Sequence, residues 1–345
     1  MNLQIAMLLG QDGMTNGAIY ALLALSILLV FTVTRVLFIP QGEFVAFGAL
    51  TMATLQAGHA PALVWLLALL AVIATIADLL AGRRDTGRYR FGTGQALRLG
   101  YPFVLIGLIQ VLPLESLPMA LQAALTLALV VPLGPLCYRL FYQPIANAPV
   151  LILLIVSVAL HVAMVGVGLL IFGPEGARTQ PFGEGGLELG PITLNAQTLW
   201  VLTASLALIV ALYLFFERTL YGKALRATAV NRVGARLMGI SPVFAGKASF
   251  FLAALIGALS GILIAPITTI YFDSGFIISL KGFVGSIIGG LASYPVAALG
   301  ALLVGLIEAF SAFFASTYKE VIVFTLIIPF LLWRSLTSRH VEEEE

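Results

Sequence analysis

VLILLIVSVALHVAMVGVGLLIF, residues 150–172, carries no formal charge, and Ser157 and His161 are its only polar side chains. Runs of ~18 or more apolar residues form membrane helices, because ~20 residues at helical rise cross the hydrocarbon layer. No face of this run is polar. It is therefore not a surface helix of a soluble protein, nor the ~10-residue alternating strand of a membrane barrel. Ala60 to Leu80 reads the same way. The 345-residue chain is 60% hydrophobic and 10% charged, with a mean hydropathy of +1.06. The fold these numbers predict is all-α, a polytopic helical bundle with broken or re-entrant helices and not a membrane barrel.

Runs and breaks place spans near 14–36, 42–58, 60–80, 97–113, 117–138, 149–172, 197–216, 246–270, 297–315 and 319–336. This gives about nine to ten spans in a single transmembrane domain covering 1–345. Gly282 to Leu291 is apolar but too short to cross as a straight helix, so it is read as re-entrant or as half of a broken helix. Lys and Arg set the orientation. The 81–98 segment holds Arg83, Arg84, Arg88, Arg90 and Arg98 against Asp85, and the 217–247 loop holds Arg218, Lys223, Arg226, Arg232, Arg236 and Lys247 against Glu217. Both are expected in the cytoplasm. The Gly- and Pro-rich 173–196 loop, with Glu175, Glu184 and Glu188 against Arg178, is expected outside. The N-terminus then lies outside, and Arg334 and Arg339 put the C-terminus inside. The tail at about 338–345 reads as disordered.

Several chemistries are unsupported. Cys137 is the single cysteine, so no disulfide forms within the chain and a thiolate metal site is excluded. The three His are not in ligand spacing, and no metal or cofactor is expected. No basic segment precedes the first apolar run, which argues against a cleaved signal peptide. No GxxxxGK[ST] loop occurs, so ATP is not bound by that route, and nothing points to nucleic acid.

One stretch departs from its surroundings. KALRATAVNRVGARLMGISP, residues 223–242, carries Lys223, Arg226, Arg232 and Arg236 and no acid. As one helix over Thr228–Met238, it puts Val230, Val233, Gly234 and Leu237 on one face and Thr228, Asn231, Arg232 and Arg236 on the other. Gly239 stands where a helix ends in the left-handed conformation, and Pro242 prevents continuation. Two readings are open: a helix lying on lipid headgroups, or a protein-docking helix fixed between two spans.

Gly222, Ala224, Arg226, Ala227, Ala229, Asn231, Ala235, Gly239 and Ile240 resemble, spacing included, the coupling loop of ABC-importer permeases of the branched-chain (hydrophobic) amino-acid family. Residues 17–50, YRLFYQPI (138–145) and 283–310 resemble further segments of that family in the same order. The resemblance implies a permease subunit in a bacterial inner membrane, importing branched-chain or hydrophobic amino acids, or a related small polar solute such as urea or an amide. It implies as partners a second related permease, two ATP-binding cassette subunits that bind the ATP, and a periplasmic binding protein. Arg226, Asn231, Arg232, Arg236, Gly239 and Ile240 would form the ATPase-coupling loop. Some positions depart from the family pattern. Val230, Arg232 and Val233 stand where acidic or amide residues are common, Gln41 replaces a His, and 81–113 is long enough to add a span.

The translocation path is expected at Gln41, Gly42, Glu43, Gly285, Ser286, Gly289 and Glu308. Pro40-Gln41-Gly42 interrupts helix. It is either a mid-membrane break facing protein or water, or a plain turn at the surface with Glu43 as an N-terminal helix charge. The rows Gly282/Ser286/Gly290 and Gly285/Gly289/Ser293 read as close helix packing or as a backbone-lined route. Glu308, ionisable in mid-span, requires a partner or a watery lining, and His161 reads as neutral and bonded to a neighbouring helix. The alternative to an ABC permease is a stand-alone secondary transporter or channel, which needs clustered intramembrane ionisable groups. Glu43, His161 and Glu308 are scattered along the sequence. A membrane enzyme lacks a nucleophile and base.

Overall fold

The computed structural model describes residues 3–86, 92–183, 185–189, 192–291 and 293–337. Arg88, Arg90, Arg339 and the 338–345 tail lie outside the described residues. The helices are α1 (Leu3–Thr34), α2 (Gln41–Gln56), α3 (Leu63–Thr86), α4 (Thr93–Val111), α5 (Met119–Val130), α6 (Leu133–Cys137), α7 (Val150–Phe172), α8 (Ala196–Arg218), α9 (Leu220–Val230), α10 (Arg232–Leu237), α11 (Pro242–Ile264), α12 (Ser274–Ile288), α13 (Tyr294–Phe314), α14 (Lys319–Thr325) and α15 (Ile327–Thr337). Among the described residues, eight helical segments are long and apolar enough to cross a membrane. The protein is a multi-pass helical membrane bundle.

The expected spans resolve unevenly. The span expected at 97–113 is found as α4, Thr93–Val111, at the periphery of the bundle. The expected spans at 42–58 and 319–336 are not single long helices: α2 has 16 residues, and α14 gives way to α15 at Leu326. A 16-residue helix rises about 24 Å, short of the ~30 Å hydrocarbon thickness. The apolar 282–291 stretch belongs to α12, a half-length helix of 15 residues. The fold is all-α as expected, with one small hairpin outside the bundle, where β1 (Gly186–Leu189) pairs antiparallel with β2 (Ile192–Asn195), Gly186 opposite Asn195 and Leu189 opposite Ile192. A two-stranded hairpin satisfies its backbone without crossing a membrane, so the argument against membrane strands does not reach it.

The bundle has two ends: a hairpin end, bearing β1–β2, and a loop end, bearing α9 and α10. At the hairpin end the 173–183 segment is stitched down by backbone bonds. Ala177 and Ile270 exchange amide and carbonyl bonds of 2.9 and 3.0 Å, and Arg178 donates to the carbonyls of Pro266 and Ile267. At the loop end Leu225 of α9 packs with Leu29 and Val33 of α1 and Ala245 of α11.

The interruption at 35–41 decides the interior. α1 stops where Arg35 adopts φ +61°, and the chain turns back into the bundle. Phe38, buried, sets its ring 4.6 Å from Phe250 and 5.9 Å from Tyr142. α2 starts only after this climb. Gln41 Nε2 donates to the Ala253 carbonyl at 2.9 Å, and Ala253 lies midway along α11. The break is therefore at mid-height of the bundle, not a turn at the surface.

α12 starts at the same height, with its own N-terminus against that of α2. A Cβ on Gly42 would lie 2.2 Å from the Gly275 carbonyl oxygen, and one on Gly275 would lie 2.0 Å from that of Gly42. Only hydrogen fits at either position. Gly42→Val should cost about 3 kcal/mol by overpacking and lower the melting midpoint in detergent, whereas Gly166→Val, with open space around its Cα, should leave it nearly unchanged.

Candidate translocation and coupling sites

At mid-height, Glu43 occupies the first turn of α2 with no exposed surface. Its Oε1 lies 2.9 Å from His161 Nδ1, and His161 is midway along α7. The imidazole is thus bonded to a neighbouring helix, as its isolated position in sequence predicted. Phe276 of α12 stacks on it, with ring centroids 4.5 Å apart and planes at 31°. Glu43 Oε2 and Gln41 Oε1 are buried and find no hydrogen-bond donor among the described residues. Two groups that sequence scattered, Glu43 and His161, are brought together here, because the climb of 35–40 lifts α2 to the level of α7's midpoint.

Glu308 sits elsewhere, in α13, and its charge is answered. Lys281 Nζ of α12 donates to Oε1, and Tyr20 of α1 donates its hydroxyl to Oε2 at 2.6 Å. The ammonium also lies 5.7 Å from the Tyr20 ring centroid. A buried charge needs such pairing, since desolvation alone costs several kcal/mol per ion. The triad ties α1, α12 and α13 together beneath a cavity of about 360 Å³ lined by Asp12, Asn16, Glu308 and Lys319. Sequence reading demanded a partner for Glu308 and overlooked Lys281, although a lysine inside an apolar stretch was itself the signal.

The small-residue rows make helix contacts. Gly285 faces Ala301 and Gly289 faces Ala297, both in α13, while Ser286 donates its hydroxyl to the Ala24 carbonyl of α1 at 2.9 Å. Asp78 was also overlooked. It accepts from Arg98 Nη1 and Arg139 Nε, each at 2.6 Å, near the loop end of α3.

The basic loop is not one helix over Thr228–Met238. It breaks at Asn231 (φ −148°, ψ 101°), which ends α9 and caps α10, its Oδ1 accepting from the Gly234 amide at 2.8 Å. Asn side chains compete for backbone donors in this way, and favour caps over helix interiors. Gly239, at φ +83°, ends α10 in the left-handed region, and the Ile240 amide returns to the Ala235 carbonyl at 2.9 Å. The break changes which face is which. Leu225, Thr228 and Ala235 turn into the bundle, while Val230, Val233, Leu237 and Met238 are 70 to 83% exposed. Arg226 pairs with Glu217 at 2.9 Å on the surface, and Arg232 Nη1 donates to the Ala146 carbonyl at 3.2 Å. Arg236 lies in the last turn of α10.

Comparison with known proteins places this geometry in context. The profile of a family described as the permease component of the branched-chain amino acid transport system matches residues 84–331. The chain is 27% identical over 259 residues to the high-affinity branched-chain amino acid transport system permease protein BraD of Pseudomonas aeruginosa, covering 72% of this chain and 84% of that one. It is 26% identical to LivH of Escherichia coli strain K12, a permease of the same description, over 71% of this chain and 83% of that one. A probable branched-chain amino acid transport permease, LivH of Methanocaldococcus jannaschii, is 25% identical over 66% of this chain and 75% of its own length. No solved structure matches the chain.

Removing one partner of the buried ion pair exposes its structural share. Lys281→Met should destabilise the bundle by about 3 kcal/mol, because Glu308 is left as a buried charge with no opposite charge and only the Tyr20 hydroxyl to answer it. The double variant Lys281→Met/Glu308→Met should recover most of the lost melting temperature.

Proposed function

Because the chain belongs to the family of branched-chain amino acid transport permease components, we propose that it is the membrane permease subunit of an ABC importer, carrying branched-chain or hydrophobic amino acids, or a related small polar solute, into the cytoplasm. The observation that carries this reading is the α9–α10 elbow. A helical membrane protein exposing Val230, Val233, Leu237 and Met238 together on a loop bounded by two long helices, α8 and α11, has a surface suited to a protein partner. Arg226 and Arg236 border it, and Asn231, Arg232, Gly239 and Ile240 fix its shape. The partner is a cytoplasmic ATP-binding cassette subunit, two per complex, which binds the ATP, so this chain needs no cofactor. A second related permease completes the membrane assembly, and a periplasmic binding protein delivers the solute.

In this reading the whole chain is a single transmembrane domain in a bacterial inner membrane, with the loop end and C-terminus in the cytoplasm and the N-terminus in the periplasm. The path passes Gln41, Gly42 and Glu43. Gly285, Ser286, Gly289 and Glu308 contribute by seating α12, which borders it. The alternative, a stand-alone secondary transporter, gains the Glu43–His161 pair as a candidate relay but leaves the exposed elbow without a partner.

Val233→Asp combined with Leu237→Asp tests the docking role, since both side chains are exposed and the fold does not depend on them. The variant should insert normally yet lose co-elution of the ATPase subunit and solute uptake. Normal co-elution and uptake would refute the elbow's role.

A further inference from the structure

The two breaks in the bundle are inverses of each other. α1 runs to the loop end, the chain turns back at Arg35, and α2 climbs from mid-height to the hairpin end. α11 runs to the hairpin end, the chain turns back over 265–273, and α12 descends from mid-height to the loop end. Each half helix lies along the long helix of the other pair. Gly48 meets Ala258 of α11, and Gly282 meets Leu23 of α1. The N-termini of the two half helices meet at Gly42 and Gly275.

Helix N-termini carry partial positive charge, and half helices that begin at the bilayer midplane recur at solute sites in transporters. Here the junction already contains its own anion. Glu43, fully buried, uses one oxygen on His161 and leaves Oε2 without a donor. Asp273, exposed immediately before α12, adds a second negative charge within electrostatic reach of Glu43. An unmatched carboxylate oxygen with a second carboxylate in reach repels an anionic ligand and complements a cation rich in N–H donors.

We propose that the half-helix junction is a recognition site for the primary ammonium group of a zwitterionic solute. Glu43 Oε2 accepts one of its three N–H bonds, and Asp273 draws the group toward it. The solute's carboxylate end points away from Glu43. This rests on the permease reading above and deepens it, because it assigns a chemical class of group to one point on the path.

The test uses the native complex, purified with its co-assembling subunits and reconstituted in proteoliposomes, with radiolabelled leucine as the probe. Glu43→Gln, which keeps shape and loses charge, should lower uptake about tenfold, the loss of one charge-assisted bond, while ATP hydrolysis is nearly unchanged. Glu43→Asp, which keeps the charge, should retain intermediate uptake. Wild-type uptake by Glu43→Gln would overturn the ammonium site alone. So would a parallel fall of uptake and ATP hydrolysis in both variants, which marks a purely structural role. A native complex that transports no leucine would overturn this site alone, whereas a native complex lacking any ATP-binding subunit would sink the permease reading.

Discussion

Everything in the interior follows from two helices being obliged to begin inside the bundle. A helix that starts in a low-dielectric interior leaves amide hydrogens unanswered, and no lipid can answer them. The chain meets this demand by placing the two starts against one another and packing protein around both. Gly42 and Gly275 allow carbonyl oxygens to approach where a methyl group would collide. Gln41 returns an amide donor to the Ala253 carbonyl, and Glu43 adds an anion at the positive end of α2. Phe38 fills the space beneath, against Phe250 and Tyr142. The half helices are short because their starting height is fixed by this contact, not because the sequence runs out of apolar residues.

How much of this was legible varies with the range of the interaction responsible. The long helices were plain from hydropathy, and α7 coincides with the 150–172 run to the residue. The position of the Pro40–Gly42 break was not. Pro and Gly announce an interruption, but its height depends on Gln41 reaching Ala253, 212 residues away. Asn231 illustrates a failure at short range. Periodicity carried a helix through it, whereas its side chain captures the Gly234 amide and turns the Val233 and Leu237 face outward. The β1–β2 hairpin went unseen because the reasoning about strands concerned the membrane.

The candidate site divides in the same way. Glu308 announced itself by its cost, and the requirement for a partner was correct. Lys281 is its partner because α12 and α13 lie side by side, a relation that becomes visible only when the small residues at Gly285 and Gly289 are matched to Ala301 and Ala297. Glu43 and His161 are 118 positions apart, so one sequence could show two isolated ionisable groups and no pair.

The elbow and the junction are joined by two short mechanical routes. The Gly239 turn that closes α10 stands two residues before Ser241, which caps α11, and the 11 helical steps from Pro242 to Ala253 span about 17 Å of unbroken helix. Ala253 then holds Gln41. The second route runs through Leu225 of α9, which packs on Leu29 and Val33, just ahead of the Arg35 turn that leads into α2. Both routes arrive at the start of α2, one through a hydrogen bond to its first residue and one through the chain that precedes it. Packed side chains at liquid-excluding density transmit displacement instead of absorbing it. Under the docking proposal, a push on the exposed Val233–Leu237 face would travel to the contact between Gly42 and Gly275, where only hydrogen fits between the two half helices and where Glu43 keeps one oxygen unpaired.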